Sequence, residues 1–110
     1  MSKRDDLAAK YTAELQKLGM DADADLLMGA IKACGPSIYS ADAETVAGSD
    51  PDELARVRTN FMAKRLGMTD ETQATAALDK ALDTIGRSNR NKYRAVLYYI
   101  LAVQGGKTAL

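Results

Sequence analysis

The stretch Ala95-Val96-Leu97-Tyr98-Tyr99-Ile100-Leu101-Ala102-Val103 decides the fold. It is far shorter than the ~20 apolar residues a membrane span needs. On a wheel of 100° per residue, Tyr93, Val96, Leu97, Ile100, Leu101 and Val103 spread over more than half the circumference. An arc this wide predicts the most buried helix of the chain, or one with a second buried side. Ser88 reads as its N-cap, and Gly105-Gly106 closes it.

Outward from this segment, helical periodicity recurs four more times between helix-terminating signals. Leu7, Tyr11, Leu15 and Leu18 make one stripe over residues 5–18, and Gly19 supplies the C-terminal cap. A second segment covers 23–34, with Leu27, Ile31 and Cys34 on one face and Gly35-Pro36 as its stop. The third has the clearest start: Asp50 as N-cap, Pro51 at the first helical position and Glu53 completing a D-x-x-E box. Leu54, Val57 and Phe61 form its stripe, and Gly67 ends it. Thr69 reads as the cap of a fourth helix, whose apolar arc runs from Ala74 to Ile85 before Gly86. The looser stretch 37–49 has room for one helical turn at 42–47. No period-2 run of β-branched residues predicts a strand. The expectation is an all-α, compact bundle of about five helices, with the last helix central. Residues 1–110 form one domain, with 1–4 and 105–110 frayed.

Composition supports this. Aromatic residues make up only 5% of the chain, so the core must be built from Leu, Ala, Met, Val and Ile, a palette that suits helices. The 15 basic and 15 acidic residues cancel, which excludes a global field for nucleic acid or membrane and leaves only local patches. Met20, Met28, Met62 and Met68 read as gap-fillers. The N-terminus shows no signal-peptide pattern, and a single cysteine allows no internal disulfide. Both point to a cytoplasmic protein.

Catalytic signatures are missing from the sequence. Without histidine there is no Ser-His-Asp or Cys-His system, and the commonest metal ligand is gone. Cys34 sits on an apolar face at a helix C-terminus and reads as a small core hydrophobe, with a redox or nucleophilic role as the alternative. Asp21, Asp23 and Asp25 imitate the opening of an EF-hand loop, but Leu26 and Lys32 stand where glycine and glutamate are required. These aspartates read as cap and first-turn residues. The expectation is a non-enzyme with no cofactor and no metal.

One segment breaks a local rule. Arg87, Arg90, Lys92 and Arg94 place four positive charges within eight residues, and no acid occurs from Thr84 onward. At a helix start, where the dipole is already positive, each costs from a few tenths up to ~1 kcal/mol. Local rules are broken at functional sites or where a tertiary partner compensates. The functional reading is an anion site. Arg87, Arg90, Lys92 and Arg94 supply charge, Ser88, Asn89 and Asn91 supply donors, and Tyr98 stands in a row with Arg90 and Arg94 at i, i+4, i+8. The intramolecular reading pairs these arginines with acids of 42–53, or with Asp79 and Asp83, to pin the last helix. Arg58 and Arg65, at the border of the third stripe, read as snorkelling stems, with an interhelical ion pair as the alternative. Tyr98 and Tyr99 read as core; exposed beside Leu101, they make a dimer or partner patch instead.

The stretches Gly35-Pro36-Ser37-Ile38-Tyr39, Ser49-Asp50 with Glu53-Leu54, and Ser88-Asn89-Arg90-Asn91-Lys92-Tyr93-Arg94-Ala95-Val96 resemble a family of short bacterial proteins of unknown function. So does the opening Met1-Ser2-Lys3-Arg4-Asp5-Asp6-Leu7. The resemblance covers nearly the whole chain. It implies a stand-alone bacterial helical protein and carries no activity, ligand or site residues.

Three functional readings follow. The first is a non-enzymatic interaction module that binds an acidic protein or a nucleic-acid backbone through Arg87, Ser88, Asn89, Arg90, Lys92, Arg94 and Tyr98. The second is a binder of a small phosphorylated metabolite that uses the same arginines. The third is a structural homo-oligomer held by the last helix.

Overall fold

The computed structural model describes residues 3–40, 44–46, 50–86, 89 and 92–107. They form five helices and one 3-10 turn: α1 (Lys3–Lys17), α2 (Ala24–Cys34), the turn Gly35–Tyr39, α3 (51–65), α4 (Glu71–Ile85) and α5 (Arg94–Gln104). Extended pairing among the described residues is limited to one antiparallel bridge between Thr45 and Tyr93. The protein is all-α, as the periodicity predicts. A radius of gyration of 12.7 Å matches the ~13 Å of one globule of this length.

Capping chemistry sets most helix boundaries. The Asp23 carboxylate accepts from the N–H groups of Asp25 (3.0 Å) and Leu26 (3.1 Å), so the acidic run 21–25 contributes the cap of α2. Gly35, at φ 66°, ends that helix in a conformation that L side chains rarely adopt. Asp50 caps α3 by accepting from Asp52 N, with Pro51 behind it, as expected. The cap of α4 lies one residue beyond the expected Thr69: Asp70 accepts from Gln73 N at 3.0 Å. The helical turn expected at 42–47 falls partly outside the described residues, and at Thr45 the chain is paired with Tyr93 instead.

The interior of α3 departs from simple periodicity. Residues Val57–Met62 form a π-helical segment between the α-helical stretches Pro51–Arg56 and Ala63–Arg65. Its i→i+5 spacing brings Val57 and Met62 to one face, and both are buried with Phe61. Arg65 is exposed and Arg58 half-buried. Neither forms an ion pair among the described residues, which sets aside the interhelical pair offered as the alternative.

The last helix is the centre of the fold. Every residue from Ala95 to Ala102 is buried, because α1, α2 and α4 all pack against it. Tyr98 stacks on Phe61 of α3, with centroids 3.9 Å apart and planes 9° off parallel. The Tyr99 hydroxyl accepts from Asp23 N (2.8 Å) and donates to Asp21 O (3.1 Å), which ties α5 to the start of α2. The partner patch considered for Tyr98 and Tyr99 is therefore not there; Val103, 42% exposed, is the large apolar residue that α5 leaves outside.

The start of α5 differs from the sequence reading. The helix begins at Arg94, not after Ser88, and its N-cap is Tyr93, with no side-chain cap. The Arg94 N–H instead donates to the Glu44 carbonyl (2.7 Å), while Val46 N donates to the Lys92 carbonyl (2.7 Å). A strand-like tertiary contact thus satisfies one of the first-turn amides that a helix leaves without an intrahelical partner.

A central α5 makes a quantitative expectation. Leu97→Ala should destabilise the protein by about 2–5 kcal/mol in urea unfolding, and Val103→Ala by no more than about 0.5 kcal/mol. Equal losses would remove α5 from the core.

Candidate functional site

The basic segment is where the sequence points, and the structure divides it. Arg87, Ser88, Arg90 and Asn91 lie outside the described residues. Asn89, Lys92, Arg94 and Tyr98 lie within them. Lys92 is 92% buried, and its ammonium donates to the Asn89 carbonyl. Both residues precede α5, so the expected crowding of cations in the first turn reduces to Arg94. Of the row Arg90, Arg94, Tyr98, the last two members lie on the helix, and Arg90 falls outside the described residues.

Arg94 is engaged inside the chain. Its Nη2 lies 2.5 Å from Glu53 Oε1 on α3, and both side chains are about 15% exposed. Tyr98, one turn on, also hydrogen-bonds Arg94. Glu53 was expected to close a capping box on Asp50; its carboxylate turns to arginines instead. Its second oxygen, Oε2, accepts from Arg56 Nη2 at 3.1 Å, and the Arg56 side chain is 62% exposed. Glu53 belongs to the stretch 42–53, so the intramolecular reading holds for Arg94. Tyr98, 6% exposed and stacked on Phe61, belongs to the core and presents no ring face to a ligand.

A cleft of about 330 Å³ opens over this cluster, lined by Ala33, Cys34, Glu53, Arg56, Asn60, Arg94 and Tyr98. Burial pushes Glu53 upward, but the hydrogen bond and charge of Arg94, then of Arg56, outweigh it and hold the carboxyl below its ordinary range. Glu53 is thus a carboxylate at neutral pH, and two guanidinium groups share it. Burial pushes the Cys34 thiol up to about 12, against the opposing charge of Arg94. Its Sγ lies 3.2 Å from the Ala30 carbonyl. A thiol so placed is protonated at physiological pH, which suits the packing role.

A second polar knot supports the first. Glu44 accepts from Lys10 Nζ (2.9 Å) and from the Tyr11 hydroxyl (2.6 Å). Lys10 Nζ also lies 4.5 Å from the centroid of the Tyr93 ring, which packs on Tyr11 at 5.3 Å. Burial, then Glu44, raises the Tyr11 hydroxyl well above its ordinary range. Glu44 therefore anchors by its side chain to α1 and by its carbonyl to the first residue of α5. The sequence singled out neither Glu44 nor Arg56. Their partners are more than 30 positions away or within an ordinary helix turn, and neither arrangement leaves a local pattern.

The fold and the cleft thus describe a five-helix bundle with a buried C-terminal helix and a cleft in which two arginines share one glutamate. The chain belongs to a family of proteins of unknown function, DUF2853, whose model matches residues 10–109. No curated protein matches it in sequence.

Arg94→Ala should cost about 2–4 kcal/mol in urea unfolding, below the range for a fully buried pair because Glu53 keeps Arg56. The double variant Arg94→Met/Glu53→Leu should recover much of that loss. A single variant as stable as the parent removes the clamp from the account. Because the Glu53 pKa is lowered on folding, its contribution should be complete above pH ~4.3 and fade as pH falls through the folded value. Glu53→Gln should flatten that part of the stability profile. Alkylation of Cys34 by iodoacetamide at pH 8 should be at least about a hundredfold slower in native protein than in urea. Equal rates would show an accessible thiolate.

Proposed function

We propose that this protein is a non-enzymatic binding module that recognises an acidic partner at the edge where α3 meets the start of α5. The observation that carries the reading is the sharing of one carboxylate by two arginines. Arg94 consumes the charge of Glu53, so Arg56, mostly exposed, keeps an outward-facing guanidinium whose charge the cluster does not balance. Asn60 adds an amide in the same cleft. From Thr84 onward the chain carries five basic residues and no acid, while the preceding segment holds all 15 acids. This asymmetry gives the C-terminal part of the chain the local sign that an acidic surface would meet.

The non-enzymatic reading draws on the absence of histidine and on the raised Cys34 pKa. A metabolite site on the same arginines is less favoured, since Arg94 is already held by Glu53 and Tyr98.

The probe is a fluorescent ten-residue polyglutamate peptide, followed by anisotropy at 50 and 200 mM NaCl. Binding should weaken at least tenfold between the two salts, fall severalfold with Arg56→Gln, and be lost with Arg87→Gln/Arg90→Gln. No binding at the lower salt, binding indifferent to these substitutions, or stronger binding of a single-stranded DNA of equal length would overturn the reading.

A further inference from the structure

A different cleft lies on another face of α2. Lys32 and Cys34, two residues apart on the helix, point about 200° apart, so the Cys34 cleft and the Lys32 cleft are distinct. The second one, also of about 330 Å³, is lined by Arg4, Ile31, Lys32, Gly35, Pro36, Ile38 and Tyr39. Ile31 and Ile38 are buried at 1% and 3% exposure and form an apolar floor. Two cations from separate helices, Arg4 of α1 and Lys32 of α2, stand over that floor, and no acid lines it. Neither cation forms an ion pair or side-chain hydrogen bond among the described residues. Tyr39, 41% exposed, sits at the rim, with the Lys3 ammonium 5.4 Å from its ring centroid.

These features define a ligand by chemistry. Two unneutralised cations, held by helices of a fixed fold, fit a compact dianion better than a carboxylate, which one arginine satisfies. The exposed tyrosine face beside an isoleucine floor fits a planar, partly apolar group attached to that anion. The 3-10 turn Gly35–Tyr39 carries both Pro36 and Tyr39, so ring and floor are positioned by one rigid, proline-containing element. We propose that this cleft binds a phosphorylated aromatic small molecule of the nucleoside monophosphate class. The phosphate lies between Arg4 and Lys32, and the base lies against Tyr39. No covalent step is involved. The site is independent of the Arg56 edge and needs no residue of that cluster.

The test titrates adenosine 5′-monophosphate into ¹⁵N-labelled full-length protein, with adenosine, ribose 5-phosphate and inorganic phosphate as separate arms. The nucleotide should saturate with Kd on the order of 0.1 mM, shifting the amides of Arg4, Lys32 and Tyr39. Arg4→Gln and Lys32→Gln, both at exposed positions, should each weaken it about tenfold. Tyr39→Leu should weaken adenosine 5′-monophosphate and leave ribose 5-phosphate unaffected. Arg56→Gln should change nothing, which separates this proposal from the acidic-partner reading. Failure to saturate by 10 mM, shifts elsewhere in the protein, or inorganic phosphate binding as tightly as the nucleotide would overturn it. So would an oligoadenylate that binds far more tightly with a steep salt dependence, because the ligand would then be a strand.

Discussion

A helix buried on every side has no solvent to satisfy its polar groups, and the rest of this structure is arranged around that constraint. Eight consecutive residues of α5 are hidden, and three polar groups of the helix, the Arg94 amide, the Arg94 guanidinium and the Tyr99 hydroxyl, find their partners in other elements. The chain supplies each one from a different element. The Arg94 amide takes the carbonyl of Glu44, its guanidinium takes Glu53 on α3, and the Tyr99 hydroxyl takes the backbone at 21 and 23. Unmade, each would cost roughly 1–3 kcal/mol, more for the charge. Together they fix where α5 starts, how it is rotated and which segments close over it.

That constraint also separates what the residues announce from what they conceal. The width of the apolar arc over 93–103 announces a central helix without any knowledge of its neighbours, because hydrophobic spread is a property of one segment. Asp23 and Asp50 announce their helices for the same reason: a cap needs only its own carboxylate and an amide two or three residues on. The start of α5 is concealed. Ser88 carries a good local signal, but Thr45 and Tyr93 pair across the fold, and that contact supersedes it. The π segment in α3 is concealed as well, since periodicity at 3.6 places Val57 and Met62 on different faces until packing draws them together.

The candidate site follows the same rule. The cations of 87–94 were conspicuous because they violate the helix dipole, and the anomaly at Arg94 resolves once Glu53 is seen on the neighbouring helix. The dipole penalty of a few tenths of a kcal/mol is small beside a hydrogen-bonded pair with little solvent access. A local oddity thus marked a tertiary fastening. Glu53 itself looked like half of a capping box, a role its carboxylate gives up for two arginines.

Charges that the fold uses and charges that it leaves are distributed differently along the chain. Arg94, Lys92, Lys10 and Glu44 sit at joints between elements, each with a partner or carbonyl in reach. Arg4 and Lys32 sit beside an apolar cleft, with no carboxylate answering them. Removing Arg94 would leave Glu53 to Arg56 alone, whereas removing Arg4 or Lys32 would leave nothing buried without a partner. Stability therefore gives a reason for the first set and none for the second. A cation that holds no part of the fold in place, beside a preformed apolar floor and an exposed ring, has its physical rationale in what it meets from outside.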